Sequence, residues 1–210
     1  MTGDHYFSDR PASRFSPKTV VVRFGGREVE VTTAPGVFSP DHLDTGTAVL
    51  LDSVPEPPAT GQLLDLGCGW GPIALDLARR SPEATVWAVD VNERALDLVR
   101  ANADQLHMPH IMPAKPEDVP SEVRFAAIWS NPPIRVGKAE LHAILRTWLP
   151  RLEPGGEAHL VVAKQLGADS LQRWLAGELG AEFEVDRVRT DKGFRVLRVR
   201  RPQSSSIVPV

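Results

Sequence analysis

An asparagine and two prolines follow an apolar run near the middle of the chain. The run covers 125–130, and Asn131, Pro132, Pro133 and Ile134 come directly after it. The prolines fix φ twice and donate no backbone hydrogen bond, so the Asn131 side-chain oxygen and the Pro132 carbonyl can accept both hydrogens of one planar amino group. Two fixed acceptors favour a more pyramidal nitrogen with a localised lone pair. This pattern predicts that the four residues 131–134 catalyse methyl transfer to an exocyclic amino nitrogen.

The dipeptide Asn-Pro on its own is typical of an ordinary turn. The catalytic interpretation depends on its position, because Asn131 follows the fourth strand of a predicted nucleoside-binding sheet. Ligands of open α/β sheets bind at the carboxyl ends of the strands. That position favours a site over a plain turn.

A glycine-rich loop lies upstream, between a short apolar run and a predicted helix. Its candidate ligand-binding residues are Asp65, Gly67, Cys68, Gly69 and Gly71, and a proline follows at the expected first turn of the helix. Glycine permits positive φ and lets a ligand lie against main chain, while the helix N-terminus offers N–H groups to a carboxylate or phosphate. The spacing differs from the Gly-x-Gly-x-x-Gly of dinucleotide-binding folds, which argues against NAD and a dehydrogenase.

A second acidic residue, Asp90, ends the next predicted strand, and Val91 follows it. A carboxylate at a strand tip can accept hydrogen bonds from both hydroxyls of a ribose. The glycine loop and the Asp90 carboxylate together fit a nucleoside without pyrophosphate, and we therefore predict S-adenosylmethionine as the cofactor. Asp90, Val91 and Asn131 are candidate cofactor-binding residues beside those of the loop. The alternative is that the glycines only turn the chain and that Asp90 only caps the helix beginning at Glu93.

The elements that must position these residues alternate between strand and helix from Gly61 onward, which is typical of a parallel sheet. We predict seven strands at 62–66, 85–90, 110–113, 125–130, 158–163, 183–189 and 194–200. Helices are predicted at 48–53, 72–80, 93–106, 139–149 and 168–179. No helix separates the last two strands, so we expect an antiparallel last strand in an otherwise parallel, Rossmann-like α/β sheet of order 3-2-1-4-5-7-6.

The first sixty residues follow a different pattern. Alternating runs at 19–24 and 27–32 flank a Gly-Gly pair, which predicts a β-hairpin. We expect an N-terminal extension over 1–60, a core domain over 61–201 and a flexible tail over 202–210.

Composition narrows the class of protein. Of 210 residues, 42% are apolar and 24% charged, and no apolar run approaches the length of a membrane span. The start of the chain lacks the pattern of a secretion signal and Cys68 is the only cysteine, so we expect a cytoplasmic protein without disulfides. No histidine lies near Cys68 in sequence to activate it, which favours a packed side chain over a nucleophile.

The distribution of charge and the spacing of the histidines bear on nucleic-acid binding and on metal binding. The net charge of −3 argues against nonspecific coating of nucleic acid. Residues 183–210 nevertheless carry a net charge of +4, which fits either solvated edge strands or a phosphate-facing surface. The six histidines do not have metal-ligand spacing, so we expect no metal site. Nothing in the pattern indicates an oligomeric state.

Three blocks of the sequence resemble the class I methyltransferases of the methyltransferase small domain family, which includes the 16S ribosomal RNA guanine-N2 methyltransferases. The blocks cover 36–47, 64–71 and 130–138. The resemblance implies that the first block covers the cofactor and that Asp44, Gly46 and Thr47 contact it; the alternative is a helix-capping run. It also implies guanine N2 of ribosomal RNA as the acceptor, with RNA as partner. The position of Arg135 and Lys138 beside the Asn-Pro-Pro segment makes them candidate contacts to RNA phosphates, and the alternative is that they are solvated loop charges.

The chain departs from that family at Ile134, where many relatives have an aromatic residue stacked on the target base. Either another ring stacks on the base, with Tyr6, Phe7 and Phe38 as candidates, or the base is held more weakly than in those relatives. The sequence leaves two alternatives open. One is N-methylation of a protein glutamine or a small molecule, and the other is a non-catalytic binding module with a methyltransferase fold.

Overall fold

The computed structural model describes residues 13–24 and 26–203. The nine strands among these residues are β1 Lys18–Phe24, β2 Arg27–Thr33, β3 Gln62–Leu66, β4 Thr85–Val89, β5 Ile111–Ala114, β6 Phe125–Ser130, β7 Leu152–Ala163, β8 Glu184–Asp191 and β9 Phe194–Arg200. The α-helices are α1 Thr45–Leu51, α2 Pro72–Arg80, α3 Glu93–Gln105, α4 Lys138–Trp148 and α5 Ala168–Leu179.

Strands β3 to β9 form one seven-stranded sheet in the order β5-β4-β3-β6-β7-β9-β8. The pairs from β5 to β7 are all parallel, whereas β9 runs antiparallel to both of its neighbours. Counted from β3, this is the predicted order 3-2-1-4-5-7-6. The prediction of a class I methyltransferase sheet with an antiparallel last strand and a separate N-terminal hairpin is therefore confirmed.

The sheet separates two apolar layers. Buried residues of α1, α2, α3 and the β1–β2 hairpin form the core on one face, and those of α4 and α5 form the core on the other. An apolar stripe on α3 packs into the first of these cores, since Leu96, Val99 and Ala103 are buried while Leu106, just past the helix end, is partly buried. A layer of helices on each face leaves the carboxyl ends of the parallel strands open for a site.

Two elements begin at least three residues earlier than predicted. Strand β7 begins at Leu152 rather than Ala158, because the backbone of Gly155 and Gly156 pairs with Arg201 beyond the end of β9. Helix α1 begins at Thr45 rather than Ala48, because the Asp44 side chain accepts a hydrogen bond from the Thr47 backbone N–H. A side-chain cap in this position stabilises the first turn of a helix.

The β1–β2 hairpin is attached to α3 by one buried side chain. Asn102 accepts from the Thr32 N–H through Oδ1 at 2.7 Å, and its Nδ2 donates to the Thr32 carbonyl at 3.0 Å and to the Trp70 carbonyl at 3.1 Å. This asparagine is fully buried. It therefore fixes the hairpin and the glycine loop to the same turn of helix.

The basic residues of the last two strands pair with acidic neighbours. Arg198 Nη2 lies 2.6 Å from Asp186 Oδ2, and Arg189 Nη2 lies 3.3 Å from Asp191 Oδ2. Arg195 pairs with Asp169 of α5. These pairs favour the solvated-strand interpretation over a phosphate-facing surface. Of these two strands, β8 lies at the sheet edge, whereas β9 lies between β7 and β8, which is the position that the predicted order gives to the last strand. No helix within 13–24 and 26–203 has the length and apolar composition to cross a membrane.

Candidate functional site

The glycine loop after β3 is held in an unusual backbone conformation by its own hydrogen bonds. Gly67, Gly69 and Gly71 have φ of +76°, +54° and +95°, which only glycine adopts easily. The N–H groups of Gly67 and Cys68 donate to the Val89 carbonyl at 2.8 and 3.0 Å. The loop was expected to offer free N–H groups to a ligand, but these two are already bonded to β4. A loop with three positive φ values is rigid because such internal partners hold it.

Asp65 lies beneath this loop with no exposed surface. Its Oδ2 accepts from the Ala74 N–H at 2.9 Å, in the first turn of α2, and its Oδ1 has no partner among the described residues. The N-cap of α2 is Gly71, which has no side chain, so Asp65 supplies the capping oxygen from the strand. Burial raises the pKa of this carboxyl well above its usual range.

Asp90 connects the tip of β4 to the glycine loop. Its Oδ2 accepts from the Gly69 N–H and its Oδ1 from the Asn92 N–H, both at 2.9 Å. The alternative in which Asp90 only caps α3 is wrong, because Asn92 is the N-cap and accepts from the Arg94 N–H at 3.0 Å. Burial raises the pKa of Asp90, and this residue is among those that line a cavity beside the loop.

Cys68 is buried inside the turn, 3% exposed. Desolvation raises the pKa of its thiol well above the usual range, and the charges of Asp90 and Asp65 raise it further. Because the thiolate is the reactive form, this environment fits a packed side chain and not an activated nucleophile.

The segment before α1 lies over the glycine loop. The Trp70 indole N–H donates to the Ser39 carbonyl at 3.1 Å, and the Asn92 side chain donates to the Gly36 carbonyl at 2.8 Å. Phe38, between these two anchors, is 39% exposed and lines the cavity beside the loop. The first of the three family-like blocks is thus placed over the site.

Asn131 lies at the tip of β6, and its amide is oriented by residues from the segment before α1. Its Nδ2 donates to Asp44 Oδ2 at 2.8 Å and to Thr47 Oγ1 at 3.0 Å. A carboxylate oxygen only accepts hydrogen bonds, so the nitrogen of the amide must face Asp44. Both amide hydrogens are used in this way, so the Asn131 oxygen is the atom of this amide left to accept a hydrogen bond, and Asn131 lines the cavity described below.

The two prolines form a tight turn after Asn131. The Ile134 N–H donates to the Pro132 carbonyl at 2.8 Å, and Pro133 has φ −74° and ψ 72°, the values of an inverse γ-turn. A carbonyl oxygen has two lone pairs, so the Pro132 oxygen keeps one for a second donor.

The candidate site is a cavity of about 740 Å³ at the carboxyl ends of β3, β4 and β6. Its lining includes nine of the predicted site residues, namely Asp44, Gly67, Gly69, Asp90, Val91, Asn131, Pro132, Pro133 and Ile134. Thr47 and Cys68 line a small neighbouring cavity. Gly46, Asp65 and Gly71 line neither cavity and support the residues that do. The volume of the larger cavity, about 740 Å³, is within the usual range for small-molecule sites.

Several lining residues were not among the predicted site residues. Phe194 begins β9, Gln165 and Leu166 follow β7, and Trp148 ends α4. The sequence could have pointed to Phe194, because it is an aromatic residue at the start of a predicted strand, directly after a turn. Tyr6 and Phe7, two of the predicted stacking residues, and the side chain of Arg135 lie outside the part of the chain that the structure describes, whereas Lys138 is exposed at the start of α4.

Comparison with known proteins identifies the family. The family model described as methyltransferase small domain matches residues 28–198. The chain belongs to the methyltransferase small domain family. This membership confirms the predicted enzyme class, an S-adenosylmethionine-dependent methyltransferase.

Relatives within the methyltransferase small domain family fall into two lengths. The Bacillus subtilis protein YbxB is 36% identical over 201 residues, covering 94% of this chain and 98% of that protein. The ribosomal RNA small subunit methyltransferase C of Pseudomonas aeruginosa is 34% identical over 180 residues, covering 83% of this chain but 52% of that protein.

A solved structure shows the same fold. The 16S rRNA N2 G1207 methyltransferase (RsmC) of T. thermophilus, in complex with AdoMet and guanosine, superposes with a TM-score of 0.75 at 25% identity. The match covers 91% of this chain and 52% of that one. The chain thus spans about half the length of the ribosomal RNA methyltransferases that it matches here.

Proposed function

We propose that this protein transfers a methyl group from S-adenosylmethionine to an exocyclic amino nitrogen, namely guanine N2 of ribosomal RNA. The observation that carries the proposal is the orientation of Asn131. Its nitrogen is held by Asp44 and Thr47, so its oxygen is the group available to an amino group in the cavity. An amide oriented the other way would repel such a donor.

The residues around the glycine loop fit the cofactor. Asp65 Oδ1 is a buried acceptor without a partner, close beneath a loop that only glycines can form, and Asp90 presents carboxylate oxygens at the next strand tip. We propose that Gly67, Gly69, Asp90 and Val91 hold the nucleoside, with Asp44, Gly46, Thr47, Cys68 and Gly71 shaping the loop side. When bound, S-adenosylmethionine supplies a methyl group on a positively charged sulfur.

The side chains of this protein are proposed to prepare the acceptor nitrogen. Asn131 Oδ1 and the free lone pair of the Pro132 oxygen each accept one hydrogen of the amino group. These two bonds orient the nitrogen and localise its lone pair, which is catalysis by positioning and by preorganised electrostatics. The methylated nitrogen is cationic and loses its proton to water afterwards, so no strong base is required beside Asn131.

The proposed acceptor is supported by the relatives. Both the P. aeruginosa enzyme and the T. thermophilus structure are named for ribosomal RNA, and the latter for guanine N2 and bound guanosine. Free 16S rRNA and the assembled 30S particle are the two forms of this substrate to test.

The experiment is a transfer assay with tritiated S-adenosylmethionine and unmodified 16S rRNA or 30S particles, followed by mass analysis of the nucleosides. N2-methylguanosine is the expected product, and Asn131→Ala should abolish it while S-adenosylhomocysteine still binds. Methylated protein glutamine with unmodified RNA would contradict the RNA proposal. Cofactor binding without turnover on RNA or ribosomal protein would instead indicate a non-catalytic binding module.

A further inference from the structure

We infer that the acceptor base stacks on the ring of Phe194. This ring would take the role of the aromatic residue that many relatives have at the position of Ile134. The inference rests on the proposed function and assigns a further residue to the same site. Phe194 is half-buried and lines the cavity that also contains Asn131 and Ile134. A base whose amino group reaches Asn131 needs a flat apolar surface beside it, because it has left its stacked neighbours in the RNA.

The Phe194 ring lies beside the group that orients Asn131. A Cβ atom added at Gly46 would lie 2.8 Å from Cε1 of the Phe194 ring and 3.0 Å from Asp44 Oδ2. The ring edge and the Asp44 carboxylate therefore flank the same point, and Asp44 is the partner of the Asn131 amide. Any side chain at position 46 would therefore clash with this ring in its present position.

The backbone beneath the ring is fixed on both sides. Phe194 pairs with Ala163 of β7 and with Asp191 of β8, so it belongs to an interior strand of the sheet. The turn before it is also anchored, since the Lys164 N–H donates to the Gly193 carbonyl at 2.8 Å. A ring on such a strand can present a constant face to a ligand.

The other rings of the cavity lie in different places. Trp148 is 3% exposed and belongs to the core beneath α4. Phe38 lies over the glycine loop, with its Cβ 4.0 Å from the position that a Cβ of Gly69 would take. Among the described residues, Phe194 is therefore the ring placed on the acceptor side, while Phe38 belongs to the cofactor side.

The test compares Phe194→Leu with Phe38→Leu and with the wild type. Removing a base-stacking ring costs about five- to 150-fold in affinity. We expect Phe194→Leu to raise the KM for 16S rRNA and the Kd for guanosine, measured with S-adenosylhomocysteine present, by at least about fivefold. Its Kd for S-adenosylhomocysteine should stay unchanged, whereas Phe38→Leu should weaken that binding instead. Phe194→Tyr, which keeps the ring, should restore the acceptor affinity.

The outcomes separate the two proposals. An active wild type together with an unchanged KM and guanosine Kd in Phe194→Leu would overturn the role of Phe194 and leave the proposed function standing. A wild type that binds S-adenosylhomocysteine but methylates no RNA would overturn both. Equal losses of cofactor and acceptor binding in a folded Phe194→Leu, unrestored by tyrosine, would show a structural role and overturn the stacking role.

Discussion

The amide nitrogen of Asn131 lies 2.8 Å from a carboxylate oxygen of Asp44, a residue 87 positions earlier in the chain. The same carboxylate oxygen caps α1 through the Thr47 N–H at 3.0 Å. One acidic side chain thus orients the amide at the tip of β6 and starts the helix that lies over it. Helix position and amide orientation are coupled through a single group.

Replacing Asp44 should free the Asn131 amide from the segment before α1. We expect Asp44→Ala to lower kcat by about tenfold or more, because the Asn131 amide loses the partner that fixes its orientation. Loss of the cap should also reduce the free energy of unfolding by about 1 kcal/mol. Single-turnover methylation and urea denaturation measure the two effects.

Two further variants separate the effect of losing the α1 cap from the effect of losing a hydrogen-bond partner of the Asn131 amide. Thr47→Val removes only the second acceptor of Asn131 and should lower kcat by about fivefold without loss of stability from the cap. Asp52→Ala, at the exposed opposite end of α1, makes the same charge change as Asp44→Ala and should leave kcat unchanged. A wild-type kcat in Asp44→Ala would contradict the orienting role.

The buried carboxyl of Asp65 should make the stability of the protein depend on pH. Burial raises its pKa in the folded, ligand-free chain, so the folded state holds this proton more tightly than the unfolded state does. The stability that it contributes is full below the unfolded pKa of about 4 and is lost as pH rises toward the raised value. We expect the unfolding free energy of Asp65→Asn minus that of the wild type to increase from pH 4 to pH 8, measured by urea denaturation. A difference independent of pH would show that the carboxyl is ionised in the fold.

Cys68 should be chemically inert in the native protein. Its thiol is buried and its pKa is raised, so neither access nor thiolate is available to a disulfide reagent at pH 8. We expect no labelling by dithiodipyridine until the chain is denatured, and then one thiol per chain. Cys68→Ala should retain methyl transfer. Rapid labelling of the folded protein would show that the loop opens.

Asn102 should stabilise the hairpin and the glycine loop together. Asn102→Ala leaves the Thr32 N–H and two carbonyls without their partner in a buried site, which should cost about 3 kcal/mol of unfolding free energy. Affinity for S-adenosylhomocysteine should fall as well, because Trp70 belongs to the loop. Gln105→Ala is the matched control on the same helix, since its bond to the Glu30 carbonyl is exposed, and it should cost less than 1 kcal/mol.

Local patterns were enough to predict the elements that carry the cofactor side. The bounds of β3, β6 and α2 were predicted to the residue, since each is a short apolar or periodic segment with glycine or proline at, or one residue beyond, its end. Sequence patterns could not show that three loop and helix N–H groups bond to Val89 and Asp65, because these partners are set by how β3, β4 and α2 pack.

Long-range contacts account for what could not be predicted. The contact between Asp44 and Asn131 joins two segments far apart in sequence, and nothing in either segment indicates it. The early start of β7 depends on the backbone of Gly156, where a Cβ would lie 2.9 Å from the Phe125 carbonyl oxygen. Phe194 is similar: the predicted strand order includes the insertion of β9 between β7 and β8, but nothing in the sequence shows that this insertion brings the ring to Gly46.

That insertion also affects how a growing chain can fold. A nascent polypeptide that has left the ribosome only as far as α5 already contains the glycine loop, Asp90 and Asn131, but one side of β7 has no hydrogen-bonding neighbour. Such a bare strand invites pairing with other chains until residues 194–200 arrive. The part of the cavity that holds the nucleoside can therefore form during translation. The part that receives the acceptor is complete only after β9 has been synthesised and has paired with β7.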